Sequence, residues 1–534
     1  MPARRAPSTI ERRLHSKRSS KNEPQAKPAA PATAWLPAIW VPLLLAAVLV
    51  AVSFVPRVQS HTTVQWSFWG AALLIIAWQV ALFVRVGALA RTLEVVLRPQ
   101  HYVQACVHFS IYAYWGFFWR PVYDHAWLIV AQLLFAYAFD MLLSWSRRKT
   151  YVLGFGAFPI VFSTNLFLWF RDDWFYLQFL MIAIGFMGKE FVRWHRDGRY
   201  VHIFNPSAFT LGLFSVVLIA TGTSDLTWGR EIASTLTLAP HIYLYLFAVG
   251  LIVMYFFSIT LVAAMAAATL FGLSALYSAM MGVPYFLDSE IPTAVFLGLH
   301  LLVTDPSTSP RTPLGRALFG VLYGLGVFGL YMLLTAMGAP TFYDKLLCVP
   351  LLNLSVIAID RFTQRVSSSG GIATKLGNNL VNMSIWIAFF GVMTLFGKTD
   401  GKHTGDSLPF WQQACEQNRR NGCKRLLQLE TTYCSDNSAW ACNELGAHYV
   451  AGKIVEADAA RAAAYFSRSC ELRFQAACFN LLTPDVIRHE DPHTLDLRLL
   501  LREGGRNLLE MPEADLQSRA CTHGWQFACK AAPK

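Results

Sequence analysis

From residue 35 to residue 397 the chain is almost continuously apolar, interrupted only by short polar loops. A backbone in lipid must satisfy its own hydrogen bonds, so runs of this kind fold as helices. A crossing helix needs about 20 apolar residues. Candidate spans lie at 35–55, 67–89, 103–119, 126–145, 151–170, 173–192, 206–222, 241–258, 260–281, 291–304, 316–337, 345–361 and 378–397. The sequence therefore predicts about thirteen crossings, with 291–304 short enough to be a half-span. The rest of the chain is polar. Composition agrees, since 54% of residues are hydrophobic and 15% charged, whereas a soluble domain carries about 25% charged residues.

The expected architecture is an all-α polytopic membrane bundle followed by a soluble α-helical domain. Residues 1–34 read as a disordered basic cytoplasmic tail, 35–89 as two N-terminal transmembrane helices and 90–362 as the main membrane domain. Residues 363–377 form a cytoplasmic loop, 378–397 the last transmembrane helix and 398–534 a periplasmic domain. The first apolar run is too long for a cleaved signal peptide and reads as a signal anchor.

The net charge of +12 suggests nucleic acid until the charges are located. Arg4, Arg5, Arg12, Arg13, Lys17, Arg18 and Lys21 crowd the tail, and further basic groups sit in alternate loops, at Arg147-Arg148-Lys149, Lys189 to Arg199, Arg311 to Arg316 and Arg361 to Lys375. The intervening loops are poor in Lys and Arg. This is the asymmetry of a membrane protein with its basic loops inside, so nucleic acid is not an expected partner and the lipid bilayer is. The expected location is a bacterial inner membrane, with the N-terminus cytoplasmic. An odd number of crossings puts the C-terminal domain on the opposite, periplasmic side.

Eight of the ten cysteines follow residue 400, in four C-x7-C pairs: Cys415/Cys423, Cys434/Cys442, Cys470/Cys478 and Cys521/Cys529. Cys434 to Cys470 and Cys442 to Cys478 are both 36 residues apart, which is a repeat signature. The segment from Cys442-Asn-Glu-Leu-Gly to Ala477-Cys478-Phe-Asn-Leu resembles a cysteine-rich Sel1-like repeat. In that family each repeat is a helix pair, and the C-x7-C cysteines join its helices by a disulfide. The pairs Cys415/Cys423 and Cys521/Cys529 fit the repeat pattern less well and read as flanking, degenerate copies. Zinc is the alternative, but zinc sites favour C-x2–4-C spacings and none occurs here. Disulfides require an oxidising compartment, in keeping with a periplasmic domain that docks a partner protein. Cys106 and Cys348 lie in apolar spans and read as inert buried thiols.

Two loops carry the remaining signal. Gly188-Lys189-Glu190, Gly198-Arg199-Tyr200 and His202-Ile203-Phe204-Asn205-Pro206-Ser207 form one; Thr304-Asp305-Pro306-Ser307-Thr308-Ser309-Pro310-Arg311-Thr312 and Gly315-Arg316 form the other. Together they resemble the hallmark loops of the NqrB/RnfD family, membrane subunits of sodium-pumping quinone reductases and Rnf electron-transport complexes. The likeness spans about residues 90–362. The run from Tyr343-Asp344-Lys345 to Pro350-Leu351-Leu352-Asn353 resembles the branch associated with enediyne biosynthesis. Asn205-Pro206 and Asp305-Pro306 each look like a capped helix start, and their separation suits two internal repeats. Broken helices in such repeats place positive helix ends near a buried anionic group.

Members of that family often carry FMN joined to a threonine. The comparable stretch here, Glu231-Ile232-Ala233-Ser234-Thr235-Leu236-Thr237, makes Thr237 the attachment residue, with Glu231, Thr235 and Leu236 departing from the family pattern. The resemblance thus implies a flavin (FMN or another), with Thr237, Asn205, Pro206, Asp305 and Pro306 as binding residues and other membrane or periplasmic redox subunits as partners. No dinucleotide loop, P-loop, H-E-x-x-H motif or iron–sulfur spacing is present, so the chain is at most a redox subunit of a larger oxidoreductase. The alternatives are a flavin-free anchor whose periplasmic domain recruits a partner, and a small-solute transporter. His108 and His300, alone in apolar spans, read as satisfied core histidines. Asp140 and Asp360 are expected to pair with nearby arginines. No metal site is expected.

Overall fold

The computed structural model describes residues 38–86, 91–196, 198–287, 289–367, 378–396, 403–501 and 511–531. The tail expected at 1–34 and most of the loop at 363–377 lie outside the described residues. The described chain is overwhelmingly helical.

The membrane part comprises α1 (Val41–Val52), α2 (Thr62–Val86), α3 (Pro99–Phe118), α4 (Ala126–Trp145), α5 (Ala157–Asn165), α6 (Tyr176–Phe191), α7 (Pro206–Thr221), α8 (Ile242–Phe257), α9 (Thr260–Met281), α10 (Thr293–Leu301), α11 (Pro313–Met337), α12 (Asp344–Ser367) and α13 (Asn379–Phe396). Among the described residues six helices are long and apolar enough to cross a membrane, and a seventh crossing results if the bent pair Gly229–Leu238 and Ile242–Phe257 counts as one. Their apolar side chains face outward in quantity, as lipid requires. Leu73, Val84, Phe109 and Leu395 are examples.

Thirteen full crossings are not what forms. The segments 151–170 and 291–304 each yield a helix of nine residues, α5 and α10, followed by non-helical chain. Nine residues rise only about 14 Å, half a bilayer core. Their order is matched in the two halves of the domain. Two long helices (α3, α4) precede the short α5 and two more (α6, α7) follow it; α8 and α9 precede the short α10, and α11 and α12 follow it.

Small residues set the closest helix contacts. A Cβ on Gly320 of α11 would stand 2.4 Å from the Val262 carbonyl oxygen of α9, and one on Gly212 of α7 would stand 2.6 Å from the Pro350 ring of α12. The two-stranded pair β1 (Thr92–Val95) and β2 (Thr150–Leu153) is parallel, and β3 (Arg193–Arg196) with β4 (Arg199–His202) is an antiparallel hairpin.

The C-terminal domain contains α14 (Leu408–Glu416), α15 (Gly422–Ser435), α16 (Ala439–Ala451), α17 (Ala459–Glu471), α18 (Gln475–Leu482), α19 (Thr494–Leu500), α20 (Glu513–Thr522) and α21 (Gln526–Ala531). Its eight cysteines form four close pairs at disulfide distance, with Cα atoms 4.4 to 4.8 Å apart. Cys415–Cys423 joins α14 to α15, and Cys434–Cys442 joins α15 to α16. Cys470–Cys478 joins α17 to α18, and Cys521–Cys529 joins α20 to α21.

The two flanking pairs close as the two inner ones do. Cys423 meets Cys415 with Cα atoms 4.4 Å apart, and Cys529 meets Cys521 at 4.6 Å, much as in the two inner pairs at 4.8 Å. What differs is depth. Cys434 and Cys442 are buried, Cys423 is half-buried and Cys529 is exposed. Seven intervening residues bring one helix end to the next helix start, which fixes the pairing. How deep a bridge lies depends on which other helices cover it, and the spacing carries no information about that.

The domain sits on the loop that follows α9 and on the C-terminal end of α11. Arg419 donates to the Gly282 carbonyl, Lys424 to that of Thr335, and Arg425 lies over the Tyr331 ring at 5.2 Å.

Cys348 is buried as expected, but Cys106 is exposed. It lies on the face of α3 turned away from the core, and an apolar span does not reveal which of its faces meets lipid. Asp140 also departs from expectation. Its carboxylate accepts from the Tyr151 hydroxyl at 3.2 Å, not from an arginine. Asp360 does pair with an arginine, Arg196, and also accepts from the Arg311 amide.

Candidate functional site

The two motif loops meet at the basic end of the bundle. Asn205 caps α7 as its sequence predicts, its side-chain oxygen accepting from the amides of Ser207 and Ala208. Pro206 occupies the first helical position, where its missing N–H costs nothing. The other end of the same carboxamide donates to the Leu302 carbonyl at 3.1 Å, at the C-terminal cap of α10. Asn353 of α12 completes the bridge, accepting from the Asn205 amide and donating to the Thr308 carbonyl. One cap therefore also ties down the second broken span.

Asp305-Pro306 opens no helix. The helix starts eight residues later, at Pro313, capped by the Thr312 hydroxyl. A helix begun at Pro306 would place Pro310 inside its second turn, where the ring clashes with the preceding carbonyl. Asp305 instead folds its loop onto itself, accepting from the Ser307 amide and hydroxyl and from Thr308. Ser307 is 2.9 Å from His202 Nε2, so the loop docks on β4. Burial pushes the Asp305 carboxyl up, but the His202 ring 3.8 Å away and the hydrogen bonds from Ser307 outweigh it and hold it below its usual range. Arg196, buried between Asp360 and the Ser309 carbonyl, locks the hairpin to the same loop.

Thr237 is elsewhere. It lies beyond the C-terminal end of α7, whereas Asn205 caps that helix at its start. It sits in the turn Leu236–Leu238, which packs against α3 and α10. Its hydroxyl donates to the Ser234 carbonyl at 2.7 Å and its side chain is half-buried. Leu236 points into the core and is fully buried. Glu231 is held 2.8 Å from Arg171, whose guanidinium covers the Trp228 ring at 4.5 Å. The five residues assigned to a cofactor thus form two groups at opposite ends of the bundle.

No protein-family model matches this chain, and no curated protein or solved structure is similar to it. Its own geometry has to carry the functional reading.

The first broken span holds residues that the sequence reading missed. Asn165, at the end of α5, exchanges hydrogen bonds with Gln132 of α4 at 3.1 and 2.6 Å. Gln178 of α6 donates to Asn165 and accepts from the Phe170 amide in the extended chain. All three amides are fully buried. Carboxamides inside apolar spans were the available signal. His108 is satisfied, with Gln104 and Ser163 as partners. His300 is not wholly so: Nδ1 meets the Phe296 carbonyl, while Nε2 is buried without a partner. Among the described residues no cluster of His, Cys, Asp and Glu could hold a metal ion.

Proposed function

We propose that the chain is the membrane subunit of an electron-transfer system and carries a flavin, FMN by preference, on Thr237. The observation that carries this reading is the turn at 236–238. Leu236 is the departure from the flavin-attachment pattern that would most obstruct a transferase, and its side chain is turned into the core. Thr237 is left half-buried at the edge of the bundle, between α3 and α10. The protein supplies binding and orientation there, and the flavin supplies the redox chemistry.

The matched order of elements in α3–α7 and α8–α12 supports two internal repeats of opposite direction in an inner membrane, each with one broken span. The basic loops face the cytoplasm in this reading. Thr237 and the disulfide-bearing Sel1-like domain then share the periplasmic side, where that domain recruits other redox subunits.

Small-solute transport is the second reading, favoured by the two broken spans and the buried amides that hold them. The deciding experiment uses protein made in a host that has a flavin transferase. A denaturing gel under ultraviolet light should show a fluorescent band that disappears in Thr237→Ala. A dark wild-type band sinks covalent attachment. Flavin released on denaturation would then keep a redox role, and its absence together with solute flux in liposomes would favour transport.

A further inference from the structure

A second polar cluster lies at the end of the bundle opposite the motif loops, over the first broken span. Asp172, just before α6, accepts from Arg57 Nη2 at 2.9 Å and stands 3.2 Å from His61 Nε2. His61 is half-exposed and opens the cluster to solvent. Beneath it lies His125, 4% exposed, stacked on Trp169 with ring centroids 4.1 Å apart. His125 is close enough to feel the charges of Arg57 and Asp172, and its ring faces the Asn165 carboxamide. Asn165 leads on to Gln132 and Gln178 at the end of α5.

Two atoms in this cluster have no partner. Arg57 Nη1 and His125 Nε2 are both buried and neither makes a hydrogen bond. A buried polar atom left unbonded loses its water without compensation. Guanidinium can only donate, whereas an imidazole nitrogen accepts in one tautomer. The cluster thus holds one unbonded donor and one unbonded acceptor, and suits a molecule that can both accept and donate. Water does, and a polar pocket with two to four partners is where buried water is found.

We infer that Arg57, His125 and Asn165 surround buried water, and that His61 and Asp172 form the mouth of a hydrated inlet leading to the broken end of α5. The inlet carries water, and protons with it, to amides that lie deep in the apolar domain. It is independent of whether Thr237 holds flavin. It also accounts for a stacked, almost fully buried histidine at this place, since a dry apolar core would leave its Nε2 orphaned.

Exchange of the histidine C2 proton for deuterium, followed by mass spectrometry on the full chain in nanodiscs, tests this. His108 is the control, being equally buried and bonded at both nitrogens. His125 should exchange roughly tenfold or more faster than His108, because opening to water is local. Asp172→Leu should plug the mouth and slow His125 toward the rate of His108, with His108 itself unchanged. A wild-type His125 as slow as His108 overturns the inlet. So does an undiminished His125 rate in a folded Asp172→Leu protein, which would place the water route elsewhere. If that variant does not fold, the wild-type comparison alone decides.

Discussion

Arg473 has φ of +68°, in the left-handed region, at the turn between α17 and α18. The same place in the other staples, three residues after the first cysteine, is taken by Asn418, Asn437 and Gly524, all with positive φ. Each turn also carries the same return bond, as from the Phe474 amide to the Ser469 carbonyl. Only Arg473 combines a long side chain with that backbone, and its side chain is exposed. Left-handed backbone costs an ordinary L-residue about 1–2 kcal/mol. Arg473→Gly should therefore stabilise the C-terminal domain by about 1 kcal/mol, measurable by urea unfolding of the full chain. Histidines give this domain a pH dependence. Hydrogen bonding to Glu444 raises the His489 pKa; burial pushes His448 down, but Glu430 outweighs burial and raises it. Each folded-state value lies above its unfolded one. The stabilisation is complete below about pH 6.5 and is lost as pH rises through the folded values. Amide protection factors in α16 should fall with rising pH over that range, and less steeply in His489→Ala.

Among the elements, the staples and the glycine contacts have distinct physical roles. Each C-x7-C pair closes a loop with a sequence separation of 8, from Cys415–Cys423 at one end of the domain to Cys521–Cys529 at the other. A loop of that size withholds about 2–3 kcal/mol of entropy from the unfolded chain. Cys470→Ser with Cys478→Ser should lower the unfolding free energy of the domain by that amount, and equal midpoints for variant and wild type in urea would exclude it. In the membrane part, a methyl at Gly320 meets backbone rather than a movable side chain. Gly320→Ala should cost about 1–3 kcal/mol by forcing α9 and α11 apart, read as an earlier midpoint in a detergent denaturation series. The thirteen apolar stretches were plain in the sequence because hydropathy depends on composition alone. So was the shortness of 291–304, but that 151–170 also stops halfway was not. No proline or glycine follows Asn165 to end α5 there. The extended chain is held by Gln178, which accepts from the Phe170 amide, and by the Trp228 amide, which donates to the Trp169 carbonyl.

At the scale of the molecule, the C-terminal domain is docked onto the bundle. Gly405 lies against the Leu287 carbonyl, so closely that a Cβ there would stand 2.2 Å from it, and His403 approaches Glu290 at 3.5 Å. Glu290 in turn accepts from Ser274 of α9. The loop between α9 and α10 is thereby clamped from above. Lys424 and Arg425, next to Cys423 of the first staple, make the outer contacts. Replacing both by alanine should speed protease release of the domain several-fold, since local opening governs cleavage; an unchanged rate would show that these cations do not hold the dock. The sequence by itself determined the helical class, the apolar bundle, the cysteine pairing register and the Asn205 cap. Each depends on composition or on residues within one or two turns of each other. Tertiary structure alone decided that the span at 151–170 breaks after Asn165 and that Asn205 and Asn353 share one bridge. It also decided that Thr237 makes its hydrogen bond within its own turn, to Ser234, and that the Cys529 bridge faces solvent while the Cys442 bridge is buried. Those outcomes rest on packing and hydrogen bonds between residues tens to hundreds of positions apart, and only the folded chain brings such groups within reach.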